Sequence, residues 1–133
     1  NLKLFKWLQK ASTTGSKKIL AYDYVNNIDE LMTAADFIVT KPGGMTTSEC
    51  LAKGLPMVVL NPLPGQEMRN ADFLLEKGIG VYVHNVRDLA EEVELLLKSP
   101  EKLAAMSRAA LESGKPQASD DIARLVMDAA PLY

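Results

Sequence analysis

The run ADFIVTKPGGMTTSECLAKGLPMVVLNPLPGQEMRNADFLLEKGIG, residues 35–80, changes its apolar rhythm repeatedly. DFIVTK (36–41) is a continuous apolar stretch and predicts a strand. Helical spacing follows from about Thr46 to Lys53 and stops at Gly54, a residue suited to a left-handed cap. PMVVLN (56–61) is apolar at every position from 57 to 60, the pattern of a strand covered on both faces. From Glu67 to Lys77 the helical pattern returns through Met68, Ala71, Phe73, Leu74 and Leu75, and Gly78 ends it. IGVYV (79–83) is a further short strand. Strands alternating with helices imply an α/β fold: a Rossmann-like, mostly parallel sheet flanked by helices.

The pattern extends in both directions. Residues 2–10 place Leu2, Phe5 and Leu8 on one side of an amphipathic helix, with Phe5 and Trp7 read as its packing residues. KILAY (18–22) predicts a fourth strand, and IDELMTAA (28–35) a short helix with Asn27 as cap and Glu30 three positions on. Downstream, VRDLAEEVELLLKS and PEKLAAMSRAALES are amphipathic, the second opening with Pro in its first turn. A last helix, 117–129, takes Ser119 as cap with Asp120 and Asp121 beside the positive end of its dipole. Four strands are few for a doubly wound domain, and the chain starts without Met inside an element. The expectation is a partial domain over residues 1–133, truncated at its amino end and lacking one or two leading strands.

Composition narrows the function. Of 133 residues, 47% are apolar and 24% charged, which fits a folded globular chain. The net charge is −2 and the 15 Lys and Arg are scattered, so no basic stripe for nucleic acid exists. One cysteine, Cys50, excludes an internal disulfide and reads as a buried thiol. With a single histidine besides, no protein-built metal site is expected. No apolar run approaches the roughly 18 residues that a membrane span needs.

Parallel sheets bind ligands at the carboxyl ends of their strands, where loops 23–27, 41–45 and 61–66 fall. In the second, Gly43 and Gly44 let the amides of residues 43–46 approach a bound oxygen with no Cβ in the way. The helix start adds unpaired donors and a partial positive charge, which suits a phosphate or diphosphate. Thr46, Thr47 and Ser48 offer hydroxyls and Lys41 a charge. The plainer reading is a tight strand-to-helix connection, and the pattern is neither a P-loop nor G-x-G-x-x-G. Glu49, one turn on, is placed to pair with a ribose diol or only to favour the helix dipole. Gln66 and Glu67 open the next helix with an amide and an acid, groups that suit sugar hydroxyls or an ordinary helix start. Asn70 faces the same way and can brace the loop or touch a ligand. Val25, in DYVNN, can present its main chain to a base edge. His84 lies on a displaced loop, and Cys50 has no histidine partner for a nucleophilic role.

Two motifs, KPGGMTTSE and PLPGQEMRN, in this order and at this spacing, resemble the processive diacylglycerol glycosyltransferases and plant-type monogalactosyldiacylglycerol synthases. The chain is similar, more distantly, to the lipid-linked N-acetylglucosaminyltransferase that completes the peptidoglycan precursor. The resemblance runs from about Lys18 to Ala130. It implies the carboxyl-terminal half of a two-domain GT-B enzyme, which inverts configuration while moving a hexose from UDP-glucose or UDP-galactose to diacylglycerol. On it, Gly43, Gly44, Met45 and Thr46 hold the diphosphate, Glu49 the ribose, Gln66 and Glu67 the donor sugar, and Val25 the uracil, with Thr47 and Asn70 in support. Helix 117–130 would pack back on the acceptor domain.

That domain is absent here, as are the family's first strand and glycine loop, so the resemblance places no catalytic residue in this chain. It implies no cofactor, and a full-length parent associated peripherally with the cytoplasmic face of the cell membrane, or with the plastid envelope in a plant. Left open are N-acetylglucosaminyl transfer to a polyprenyl-linked precursor, UDP-sugar epimerisation, and a non-catalytic nucleotide-sugar-binding module.

Overall fold

β1 (Ile38–Thr40), β2 (Met57–Leu60) and β3 (Gly80–Val83) form a parallel sheet in that order, with Val39 beside Val58 and Val58 beside Val81. The computed structural model describes residues 1–14 and 19–129. Its helices are α1 (Leu2–Thr14), α2 (Ile28–Ala34), α3 (Gly44–Lys53), α4 (Gln66–Glu76), α5 (Leu89–Leu97), α6 (Pro100–Ser113) and α7 (Ala118–Ala129). The chain divides into two compact units, Asn1–Glu30 and Leu31–Tyr133.

The second unit is built around β2, whose side chains alternate between two cores, as a period of two requires. Met57 and Val59 join Met32, Cys50, Ala71, Leu74, Ile79 and Ala110 on one side of the sheet. Val58 joins Val83, Leu96 and Met106 on the other. The expected two-sided burial of residues 57–59 is present. Among the described residues β1 pairs on one side only, and its central Val39 stays 40% exposed. α3 ends at Gly54, which takes the left-handed conformation (φ 66°) and returns its N–H to the carbonyls of Cys50 and Leu51. α6 then packs backbone-close to α3 at Gly114.

Four expectations need correction. Residues 19–22 are not a strand, and Lys18 lies outside the described residues. Strand propensity is realised only through ladder partners, and the unit Asn1–Glu30 shows no strand among its described residues. The sheet is therefore three-stranded among the described residues. α3 starts at Gly44, two residues before the predicted Thr46, because Gly43 already serves as its N-cap. Trp7 is 64% exposed, and over residues 2–11 of α1 only Phe5, Leu8 and Ala11 are half-buried. Ser119 sits inside α7, whose first turn is closed by the Asp121 N–H donating to the Gln117 carbonyl at 3.0 Å. No residue of α7 is buried, and position 130 lies outside the described residues.

Candidate functional site

The loops after β1 and β2 both leave the carboxyl edge of the sheet and feed the amino ends of α3 and α4. In the first, the buried Pro42 turns the chain, and the Gly43 N–H donates back to the Lys41 carbonyl at 2.9 Å. Gly43 (φ −63°, ψ 151°) caps α3 without a side chain, and the Thr47 N–H closes the first helical turn on the Gly43 carbonyl at 2.8 Å. The main-chain donors of Gly44, Met45 and Thr46 therefore have no acceptor among the described residues. The expected donor run of 43–46 is thus reduced to 44–46, since the turn at Pro42 consumes the Gly43 amide.

Side chains around this helix start separate into three kinds. Met45 is 79% exposed and projects an apolar side chain, so its amide is its polar contribution. Thr46 is half-buried, and Glu49 is exposed with no hydrogen-bond partner among the described residues. Thr47 is only 6% exposed, and its Oγ1 has no hydrogen-bond partner among the described residues. Ser48 Oγ donates to the Gly44 carbonyl at 3.0 Å, so that hydroxyl is spent within its own helix. Lys41 is exposed and, with Val39, Thr40, Leu60 and Asn61, lines an open cavity of about 180 Å³.

The second loop is shaped by two residues at positive φ, Asn61 (47°) and Gly65 (104°). One carboxylate oxygen of Glu67 accepts from the Leu63 N–H at 2.7 Å, which fixes the entry into α4. Gln66 is exposed, and its Nε2 lies 3.1 Å from the place that a Cβ on Gly44 would occupy. One turn further, Asn70 Nδ2 donates to the Pro42 carbonyl at 2.8 Å, joining α4 to the glycine loop. This bond spans 28 residues. Sequence reasoning placed Asn70 on the right face but had no means of naming its acceptor. The Glu67–Leu63 bond was also missed, although an acid in the first turn of a helix is its usual signal.

The remaining candidates stay apart. His84 is exposed after β3, edge-on to Tyr82 with ring centroids 4.4 Å apart. A whole strand, β2, separates its loop from that of Pro42. Cys50 is fully buried, and burial, aided by the charge of Glu49, pushes its thiol up to about 11. A thiol held protonated at neutral pH is a poor nucleophile. Val25 lies half-buried in the loop 23–27 of the first unit. No group of metal-ligating side chains occurs among the described residues. What the second unit offers is a concentrated set of donors (three main-chain amides, a helix dipole and the Gln66 amide) fit for an oxyanion.

The chain matches the glycosyltransferase family 28 C-terminal domain over residues 4–122. A processive diacylglycerol beta-glucosyltransferase of Bacillus pumilus is 37% identical over 108 residues, covering 81% of this chain and 28% of that protein. The protein of the same name from Staphylococcus saprophyticus is 40% identical over 89 residues, covering 67% of this chain and 23% of its own. The chain thus spans less than a third of the length of these curated relatives. The crystal structure of MurG from Acinetobacter baumannii superimposes with a TM-score of 0.79 at 18% identity, over 95% of this chain and 40% of that one.

Proposed function

The chain belongs to the glycosyltransferase family 28 C-terminal domain family, and on that premise we propose that it is the donor-binding part of a hexosyltransferase. The reaction is transfer of a hexose from a UDP-sugar to diacylglycerol with inversion. The names of the relatives support glucose as the hexose, with UDP-galactose as the competing donor. In a UDP-glucose donor the sugar is α-linked to phosphate, so a β product requires inversion and no covalent enzyme intermediate.

The carrying observation is the unpaired trio of amides at Gly44, Met45 and Thr46. When the bond from the sugar to the diphosphate breaks, negative charge grows on the leaving oxygens. Preorganised donors aimed there stabilise the transition state more than the ground state. Gly43 supplies the side-chain-free approach, and Thr47 lies buried in the first turn of the same helix. Glu49 pairs with the ribose diol, and Gln66 and the remaining acceptor capacity of Glu67 face the sugar hydroxyls.

No side chain of this chain is assigned as the base. The acceptor hydroxyl loses its proton to a group on the acceptor domain, so residues 1–133 alone transfer nothing. Helix α7 (Ala118–Ala129), none of whose residues is buried, packs against that domain. No described helix is long and apolar enough to cross a membrane, and the full-length protein meets its lipid peripherally, at the cytoplasmic face of the cell membrane or at a plastid envelope.

The test is a donor panel on the full-length protein with diacylglycerol, using UDP-glucose, UDP-galactose and UDP-N-acetylglucosamine. Hexosyl-diacylglycerol formed from one of the first two is the expected product. Turnover of UDP-N-acetylglucosamine alone, isomerised UDP-sugar without acceptor, or hexose transfer by residues 1–133 in isolation would each overturn part of this reading.

A further inference from the structure

We infer that Asn70 is a positioning residue that holds the glycine loop at its working distance from α4, and that its loss weakens the grip on the diphosphate although Asn70 sits on the sugar-side helix. The inference rests on the donor-site reading above and deepens it. Pro42 has no N–H, and its carbonyl is the polar handle by which the loop can be gripped. The loop has no side-chain cap of its own at Gly43. Among the described residues, the Asn70 Nδ2 bond to the Pro42 carbonyl is the side-chain hydrogen bond that reaches residues 41–44 from another helix.

Asn70 lies four positions after Gln66, hence on the same face of α4. The same face therefore touches the loop twice: Asn70 on the Pro42 carbonyl, and the Gln66 amide beside Gly44. The direction in which the amides of Gly44–Thr46 point is set by the carbonyl that Asn70 holds two residues earlier. Without that bond the loop loses its anchor to α4, and the donors of α3 lose their fixed aim.

The experiment measures UDP binding by calorimetry to the full-length protein, wild type and Asn70→Ala, Asn70→Asp and Asn70→Gln. UDP carries no sugar, so a residue that contacts only the hexose leaves its affinity alone. The expected result is a UDP affinity reduced about five- to tenfold in Asn70→Ala and at least as far in Asn70→Asp, whose carboxylate would face the Pro42 carbonyl. Asn70→Gln, which keeps the amide donor, recovers part of the loss. Should Asn70→Ala not fold, by circular dichroism, the isosteric Asn70→Asp carries the test. Unchanged UDP affinity with a raised KM for the UDP-sugar would make Asn70 a sugar contact and overturn the inference alone. A wild-type protein that binds no UDP would overturn the donor-site reading and this inference with it.

Discussion

The side-chain amide of Gln66 stands 3.1 Å from the point that a Cβ on Gly44 would occupy. The helix start after β1 and the helix start after β2 are therefore close enough that a methyl group on one disturbs the other. The obstacle is the end of a flexible side chain, so Gly44→Ala displaces the Gln66 amide and leaves the fold intact. We expect stability within about 0.5 kcal/mol of wild type, since alanine suits a helix better than glycine does. Donor KM should rise several-fold. In a Gln66→Ala background the Gly44→Ala effect should vanish, and full additivity of the two would show that they do not act through this contact.

Glu49 is exposed and has no hydrogen-bond partner among the described residues, so its removal tests binding with little structural cost. Glu49→Ala should change the thermal midpoint negligibly while raising donor KM about tenfold or more, the loss expected for charge-assisted bonds to a diol. A donor lacking the ribose 2′-hydroxyl separates roles. Wild type should discriminate strongly against it, and the variant weakly. Equal discrimination by both proteins would remove Glu49 from the ribose.

These two residues show what was legible beforehand. The sheet strands were readable because residues 57–60 are apolar at every position, and helix ends were readable because Gly54 and Pro100 punctuate them. The spacing after the two glycines put Glu49 one turn into α3, and it lies there, exposed. The error at residues 18–22 has a different origin. KILAY carries strand propensity, but a strand is a relation between segments, and propensity names no partner. The same holds for polar groups. Nothing local tells that Thr47 is buried or that Asn70 finds the Pro42 carbonyl 28 residues away. Local chemistry was visible, and long-range pairing was not.

The loop between β2 and α4 should be sensitive to backbone chemistry. Gly65 has φ 104° and ψ −119°, a region that L side chains rarely enter. Gly65→Ala should cost about 1–2 kcal/mol, read as a lower urea midpoint with an unchanged slope. Asn61, at φ 47°, tolerates the left-handed region better than most residues. Asn61→Gly should be near neutral and Asn61→Val destabilising by about 1–2 kcal/mol. Equal stability of these two variants would argue against the loop conformation described.

Gly114 tests packing alone. Its φ of −68° and ψ of 150° suit any residue, yet an added Cβ would lie 2.7 Å from the Leu51 carbonyl oxygen. Backbone cannot swing aside as a side chain can, so α6 must move off α3. Gly114→Ala should destabilise by about 1–3 kcal/mol. Gly43→Ala is the control, with nothing within 4 Å of its Cβ and φ −63°. It should leave stability unchanged.

Cys50 makes stability depend on pH in the alkaline range. Burial, with a smaller part from the Glu49 charge, raises its thiol from 9.0 to about 11 in the folded state. Between those values the unfolded chain releases a proton that the folded chain keeps, so ionisation favours unfolding. The contribution is fully present below about pH 9 and is lost as pH rises through 11, on the order of 2 kcal/mol in total. Urea midpoints measured from pH 8 to 11 should fall more steeply for wild type than for Cys50→Ala, which has no thiol to ionise. The alanine variant starts lower, by about 1 kcal/mol, for the sulfur it no longer packs. The two curves should cross between pH 9 and 11, with wild type the less stable of the two at pH 11. Parallel curves would mean that the thiol ionises as readily in the folded chain as in the unfolded one, and that Cys50 is not sealed between α3 and the sheet.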